Sequence, residues 1–391
     1  MKKIVLFIVL AQFFGTSLWF VGNIVIPQLP GAQDNPDVVS QALSAVQIGF
    51  ILGTLIYAFL SIADRFSPSK VFFFSAVFAA VANALLIIPN LNVDLLISTR
   101  LITGFFLAGI YPVGMKIASD YFEKGLGLTL GLLVGALVLG TALPYAIQLG
   151  DISYDPKIIV LTTSNLAILG GILILIFVPD GPFRKKQSKL DFGLLPKIFK
   201  QNNFRKAAFG YFGHMWELYT FWGLLPLFLI SLKAKTNLQF DLPLWCFAII
   251  GIGCISCFIG GFISIKKGSK WVASLALILS GICCFVSPLL FTFGPMPAAW
   301  QVSLSFIILL IWGFAVVMDS PQLSTLVAQS TAPELRGTAL TITNCIGYVI
   351  TIASIQAVSW LSDFIEPQYF FVVLGLGPIF GLINLLKLRS R

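Results

Sequence analysis

Charged residues are scarce in this chain. Asp, Glu, Lys and Arg make up 10% of its 391 residues, against 58% that are apolar. A soluble domain carries about 25% charged residues, so a chain this poor in charge cannot cover a water-facing surface. Histidine occurs once, at His214, which excludes a zinc site built on imidazoles. There is no Gly-rich phosphate loop with its Lys, and hence no nucleotide-driven chemistry within the chain. Polar stretches are also missing. The longest, from Asp180 to Lys206, is too short to fold as an aqueous catalytic or output domain. Cysteine is absent from the first half. Cys246, Cys254, Cys257, Cys283, Cys284 and Cys345 all lie inside apolar runs, so they read as free thiols packed among helices. Cys254-x-x-Cys257 has no second pair or His ligand to make it a metal site.

What remains is apolar sequence in runs of bilayer length. A helix needs about 20 apolar residues to cross roughly 30 Å of hydrocarbon, and in lipid every backbone polar group must be satisfied internally. The runs lack the strict alternation of a barrel. Twelve are predicted, at 4–27, 42–62, 69–89, 94–118, 126–149, 157–179, 207–231, 241–265, 270–293, 301–328, 338–361 and 368–387. The first follows Met1-Lys2-Lys3 as a signal peptide would. It runs on to Ile26 without a small-residue cleavage pattern, and is therefore expected to be a retained span.

The net charge of +9 is placed asymmetrically. With the N-terminus taken as cytoplasmic, the outer loops hold only Lys157, Lys233 and Lys235, and Arg100 lies within a span. All the other Lys and Arg fall on or near the inner side. The positive-inside rule then predicts both termini in the cytoplasm, in an inner membrane of bacterial type. The basic cluster Arg184-Lys185-Lys186 lies in the central stretch and reads as a surface facing anionic lipid. That stretch divides the chain into an N-terminal six-helix bundle over 1–180, a linker over 181–206 and a C-terminal six-helix bundle over 207–391.

The halves carry related features, a signature of duplicated carriers. Leu60-Ser-Ile-Ala-Asp-Arg-Phe-Ser-Pro-Ser-Lys70 follows the second span, and Gly261-Phe-Ile-Ser-Ile-Lys-Lys-Gly-Ser-Lys270 follows the eighth. The second copy has Ile265 where the first has Asp64. Gly104 precedes Pro112 in the fourth span as Gly313 precedes Pro321 in the tenth, with equal spacing. Within the first and seventh spans, Phe14-Gly15 and Phe212-Gly213 each precede an aromatic-rich helix, ending near Pro27 and Pro226. Glu123-Lys124-Gly125 and Glu334-Leu335-Arg336-Gly337 follow the fourth and tenth.

With Ala63-Asp64-Arg65 and Lys70 the chain resembles the major facilitator superfamily, whose loop between spans two and three usually reads G-x-L-A-D-R-x-G-R-K. It departs from that pattern at Leu60, Ser67 and Pro68. Arg100-x-x-x-Gly104 is similar to the family's fourth-span motif, commonly linked to proton coupling. The resemblance implies an all-α membrane protein of twelve transmembrane helices in two pseudo-symmetric six-helix bundles. It also implies that Asp64 and Arg65 latch the two halves in one state and release them in the other. The fifth span, with Gly127, Gly131, Gly135 and Gly140, lacks the Gly-Pro pair of the antiporter signature. Nitrate-porter and sugar-porter signatures are absent too, so no substrate subfamily is assigned.

Ionisable groups at membrane depth are costly and mark candidate functional sites. His214 and Glu217 are three apart on the seventh span and share a face. A carboxylate at that depth can exchange a proton as its surroundings alternate, and imidazole is the side-chain type that does so around neutral pH. Asp319 precedes Ser320-Pro321, where a proline frees a carbonyl one turn back. Arg100 can meet a carboxylate or an anionic solute with its planar fork. Trp19 and Asn23 share a face of the first span and, with Trp216, Tyr219 and Trp222, are candidates for lining a mixed aromatic and polar pocket. Lys116 sits nearer the inner end and can snorkel. Each of these residues also has a purely structural reading, in helix packing or in satisfying backbone around a kink.

The reading is a secondary, proton-coupled carrier for a small organic solute, working by alternating access as a monomer in membrane lipid. It needs no cofactor, metal or nucleic acid, and no clustered catalytic set marks it as an enzyme. The alternatives are an exporter of a metabolite or drug and a transporter-like sensor.

Overall fold

The computed structural model describes residues 2–29, 37–121, 126–149, 155–184, 193, 195–292, 297–332 and 335–388. Among them no strand occurs. Eleven helical stretches are long and apolar enough to cross a membrane. In chain order they are Lys3–Gln28, Val38–Phe59, Pro68–Ile87, Val93–Tyr121, Pro156–Phe177, Asn202–Thr236, Leu242–Lys267, Ser269–Phe291, Ala298–Gln329, Arg336–Leu361 and Pro367–Leu386. The helix Leu126–Ile147 contains the shorter apolar segment Gly131–Ile147 and completes twelve spans as the fifth. The seventh, Asn202–Thr236, overruns its expected bounds at both ends. The repeat residues Glu123-Lys124-Gly125 and Glu334, and the basic pair Lys185-Lys186, lie outside the described residues.

Packing repeats between the halves. The first span packs on the fifth and sixth, and the seventh on the eleventh and twelfth. The second lies against the fourth and the eighth against the tenth; the third meets the sixth and the ninth meets the twelfth. Across the halves the fifth span lies on the eighth and the second on the eleventh. This is two pseudo-symmetric six-helix bundles joined along two seams.

Matched glycines permit the closest approaches. A Cβ at Gly104 would stand 2.0 Å from the Val46 carbonyl oxygen, and one at Gly313 would stand 1.8 Å from that of Ile249. Backbone therefore lies directly against backbone in both the second–fourth and eighth–tenth pairs. The fourth and tenth spans also break in equivalent places. Val93–Leu107 gives way to Tyr111–Tyr121, with Pro112 in its first turn, and Ala298–Met318 to Ser320–Gln329, with Pro321 in its first turn. Proline fits a first helical turn, where its missing N–H has no intrahelical partner. The first span breaks as well, between Lys2–Thr16 and Val21–Val25, while the seventh runs unbroken.

Helix ends account for several loop charges. Asp155 and Asp241 cap the sixth and eighth spans by accepting from the backbone N–H groups of Lys157 and Leu244. Lys206 and Lys270 donate to the last carbonyls of the twelfth, at Lys387, Leu386 and Leu388. The outer surface is apolar, with Trp300 67%, Ile176 64% and Phe262 58% exposed, as hydrocarbon contact allows.

Candidate functional site

A cavity of about 820 Å³ lies between the two bundles. It opens at the end of the molecule that holds Asp64, Lys116 and Arg336, which is also the end where the first span starts and the twelfth finishes. Among the described residues these three are the only charged side chains on its wall. Further in, the lining is neutral. The seventh span presents Tyr211, Met215, Leu218, Tyr219 and Trp222, spaced so that all fall on one helical stripe. The eleventh adds Thr338, Thr341, Asn344 and Tyr348, and the broken fourth and tenth contribute Tyr111, Pro112, Ser320, Pro321 and Gln322.

The opposite end is closed. Trp19 and Phe50 of the first half pack against Tyr219 and Tyr348 of the second, with ring centroids 4.7–6.0 Å apart across the seam. The Tyr219 and Tyr348 hydroxyls are 2.9 Å apart. Beyond this aromatic floor, the Asn23 amide donates to the Gly223 carbonyl at 3.0 Å. The Gln356 amide donates to the Ser40 carbonyl at 3.2 Å and to Ser44 Oγ at 2.8 Å.

Four buried ionisable residues, Arg100, His214, Glu217 and Asp319, stand behind the cavity wall. His214 and Glu217 share the seventh span but reach different neighbours. His214 Nδ1 lies 2.8 Å from Asp319 Oδ1, tying the seventh span to the break in the tenth, while Nε2 has no hydrogen-bond partner among the described residues. Both side chains are about 99% buried. The adjoining Tyr211 ring, 5.8 Å from the imidazole, does line the cavity. Glu217 faces the ninth and tenth spans. It accepts from Trp312 Nε1 at 2.7 Å, Ser280 Oγ at 2.9 Å and Cys284 Sγ at 3.4 Å. Arg100 braces the break in the first span. Its Nη2 donates to the freed carbonyls of Leu18 and Trp19, at 3.0 and 2.7 Å, and its Nη1 to Asn83 Oδ1 at 3.1 Å. Trp216 turns from the cavity, its Nε1 donating to the Val373 carbonyl.

Two helical bundles thus surround a central cavity that is open at one end and shut at the other. The sequence family described as the Major Facilitator Superfamily matches residues 8–355. The chain belongs to the major facilitator superfamily. Solved structures of superfamily transporters share the whole fold. The human organic anion transporter MFSD10 (TETRAN) superposes with a TM-score of 0.72 at 15% identity, covering 98% of this chain and 99% of its own. A mutant form of the nucleoside transporter NupG gives 0.72 at 13%, covering 99% and 100%. No curated protein matches the sequence.

At the open end, the superfamily loop is held within its own bundle. Asp64 Oδ1 pairs with Lys116 Nζ at 2.9 Å, and Lys116 also lies 3.6 Å from Asp120. Arg184 donates to the carbonyls of Asp64 and Phe66 and pairs with Asp180. Arg65 is exposed. Neither member of the expected latch reaches across to the other bundle through these bonds, in keeping with an end that stands open.

Of the aromatic and polar residues singled out by sequence, Tyr219 and Trp222 line the cavity, Trp19 backs its floor, and Asn23 holds the closed end. Tyr111, Tyr211, Asn344 and Tyr348 also line the cavity, and nothing in their sequence context sets these neutral groups apart as the cost of a buried charge does for an ionisable one. Of these, only Tyr211 belongs to the seventh-span stripe running to Trp222 that the sequence displays.

Proposed function

We propose that this protein is a secondary active, proton-coupled carrier of a small organic solute that works by alternating access. The observation that carries the reading is the asymmetry of the cavity, open between the bundles at one end and sealed at the other by contacts that cross the seam. Such contacts can break and reform as two rigid bundles rock. The first bundle spans 1–180, the connection 181–206 and the second bundle 207–391. The open end is the cytoplasmic one, carrying both termini, in an inner membrane of bacterial type. The carrier acts as a monomer and is not an enzyme. Export remains within the same reading, since the cavity serves either direction.

The coupling site is the His214–Asp319 pair. It links the seventh span to the hinge-like break of the tenth, just behind cavity residues Tyr211 and Ser320. A proton gained or lost there changes the pairing that holds these spans together. Glu217 and Arg100 hold their spans in register, and Asp64 with Arg65 forms the latch when the cytoplasmic end closes.

Spin labels test this without a known solute. Pairs at Gln41 with Asp363 and at Lys70 with Lys266, all exposed, report the two ends. In liposomes the two distances should show two populations that change in opposite senses. One fixed distance at both ends would refute alternating access. Lowering pH should shift those populations in the wild type and in Glu217→Gln, and leave them unmoved in Asp319→Asn. A response retained in Asp319→Asn and lost in Glu217→Gln would transfer the coupling role to Glu217.

A further inference from the structure

Among the described residues, the inner wall of the cavity presents hydrogen-bond donors but no charged side chain. Trp222 Nε1 and Thr54 Oγ1 are buried without a hydrogen-bond partner among the described residues. Asn344 Oδ1 accepts from the Tyr211 hydroxyl at 2.5 Å, which turns the Asn344 amide N–H groups to other partners. In the Tyr219–Tyr348 hydroxyl pair one proton is shared, so the accepting hydroxyl keeps its own to donate. Buried donors left unmade are costly, and a bound solute with acceptor atoms removes that cost. The innermost wall is aromatic: Tyr111 is half-buried on it, and Tyr219, Tyr348 and Trp222 lie buried at its base.

Charge is missing from this part of the wall. Asp64 and Lys116 pair with each other at the mouth, and the Arg336 Nε donates to the Ala328 carbonyl there. Arg100 and Glu217 are hydrogen-bonded behind the wall, where His214 pairs with Asp319. An ion carried to the floor would meet no counter-charge, and an unpaired charge away from water is strongly disfavoured. The volume of about 820 Å³ sits in the upper part of the range for drug-sized ligands, roughly 300–1,000 Å³.

We propose that the transported solute is uncharged and joins a planar unsaturated ring to several hydroxyl or carbonyl groups. The ring stacks on the aromatic floor and the oxygens accept from Trp222, Asn344 and the tyrosine pair. This rests on the carrier reading.

The test is thermal unfolding of the purified full chain with five probes: uridine and salicin, which are neutral, ring-bearing and hydroxylated; sorbitol, neutral without a ring; benzoate, an anion; and tyramine, a cation. Uridine or salicin should raise the melting temperature saturably, with the other three at least about tenfold weaker. Asn344→Ala and Trp222→Phe should each weaken that binding by about fivefold, the loss of one neutral hydrogen bond. If Trp222→Phe does not fold, Asn344→Ala carries the test alone. Benzoate or tyramine binding as well as the neutral probes, no shift with uridine or salicin, or unchanged affinity in the variants would overturn the proposal. If the proposal fails while the spin-label distances still exchange, only the solute class is wrong; distances that stay fixed would sink the carrier itself.

Discussion

Glu217 is an acceptor surrounded by donors. The indole of Trp312 and the thiol of Cys284 meet one oxygen, and the Ser280 hydroxyl meets the other. The indole can only donate, whereas the hydroxyl can turn and accept. An amide at 217 can therefore keep its oxygen on Trp312 and its NH2 on Ser280. Glu217→Gln should cost about 1 kcal/mol of stability. Trp312→Phe, which leaves a buried oxygen with a thiol alone, should cost about 2 kcal/mol. Thermal unfolding of the two variants in detergent checks the order; Gln costing more than Phe would contradict this geometry. Arg100 makes a similar point. The sequence marked it as buried charge, but not that two main-chain oxygens and an amide, rather than a solute, fill its fork. A single lysine ammonium cannot span that set.

Among the elements, the broken helices and the glycine seams do the positioning. Gly104 and Gly313 let the second–fourth and eighth–tenth pairs meet backbone to backbone. A methyl group there has to push a main-chain carbonyl aside, so Gly104→Ala and Gly313→Ala should each destabilise the protein by about 1–3 kcal/mol. Gly261→Ala is the control, because a Cβ there meets nothing within 4 Å. Equal melting temperatures for all three variants would rule out the close seams. The paired Gly and Pro residues of the fourth and tenth spans were legible in the sequence as repeated positions, but not every proline marks a break: Pro226 and Pro144 lie inside the continuous seventh and fifth helices. The break in the first span was not legible. It contains no proline between Thr16 and Val21, and its freed carbonyls are satisfied by Arg100 from another helix.

In the whole molecule, the balance between open and closed ends is set by few contacts. Two side-chain amides, Asn23 and Gln356, bridge the closed end. Each such bond contributes about 1 kcal/mol, so Asn23→Ala combined with Gln356→Ala should move the ratio of the two states at least about tenfold toward opening of that end. The Gln41–Asp363 spin-label distance reads this directly, and an unchanged distribution would show that the aromatic floor, with the Ser359 bonds to Ser40 and Asp37, holds the end shut. At the other end Asp64 is engaged with Lys116 of its own bundle, which leaves the cavity mouth free for solute.

Composition and run length were enough to specify a lipid-solvated bundle of twelve helices, because the bilayer imposes one length and one hydrogen-bonding solution on every span. Repeated Gly, Pro and charged positions likewise carried the two-fold duplication. Which polar residues face the cavity was decided only by tertiary packing. Helical periodicity tells which residues share a face, as with His214 and Glu217, but not which neighbour that face meets. The structure sends one to Asp319 and the other to Trp312, and leaves the cavity to neutral tyrosines and an asparagine.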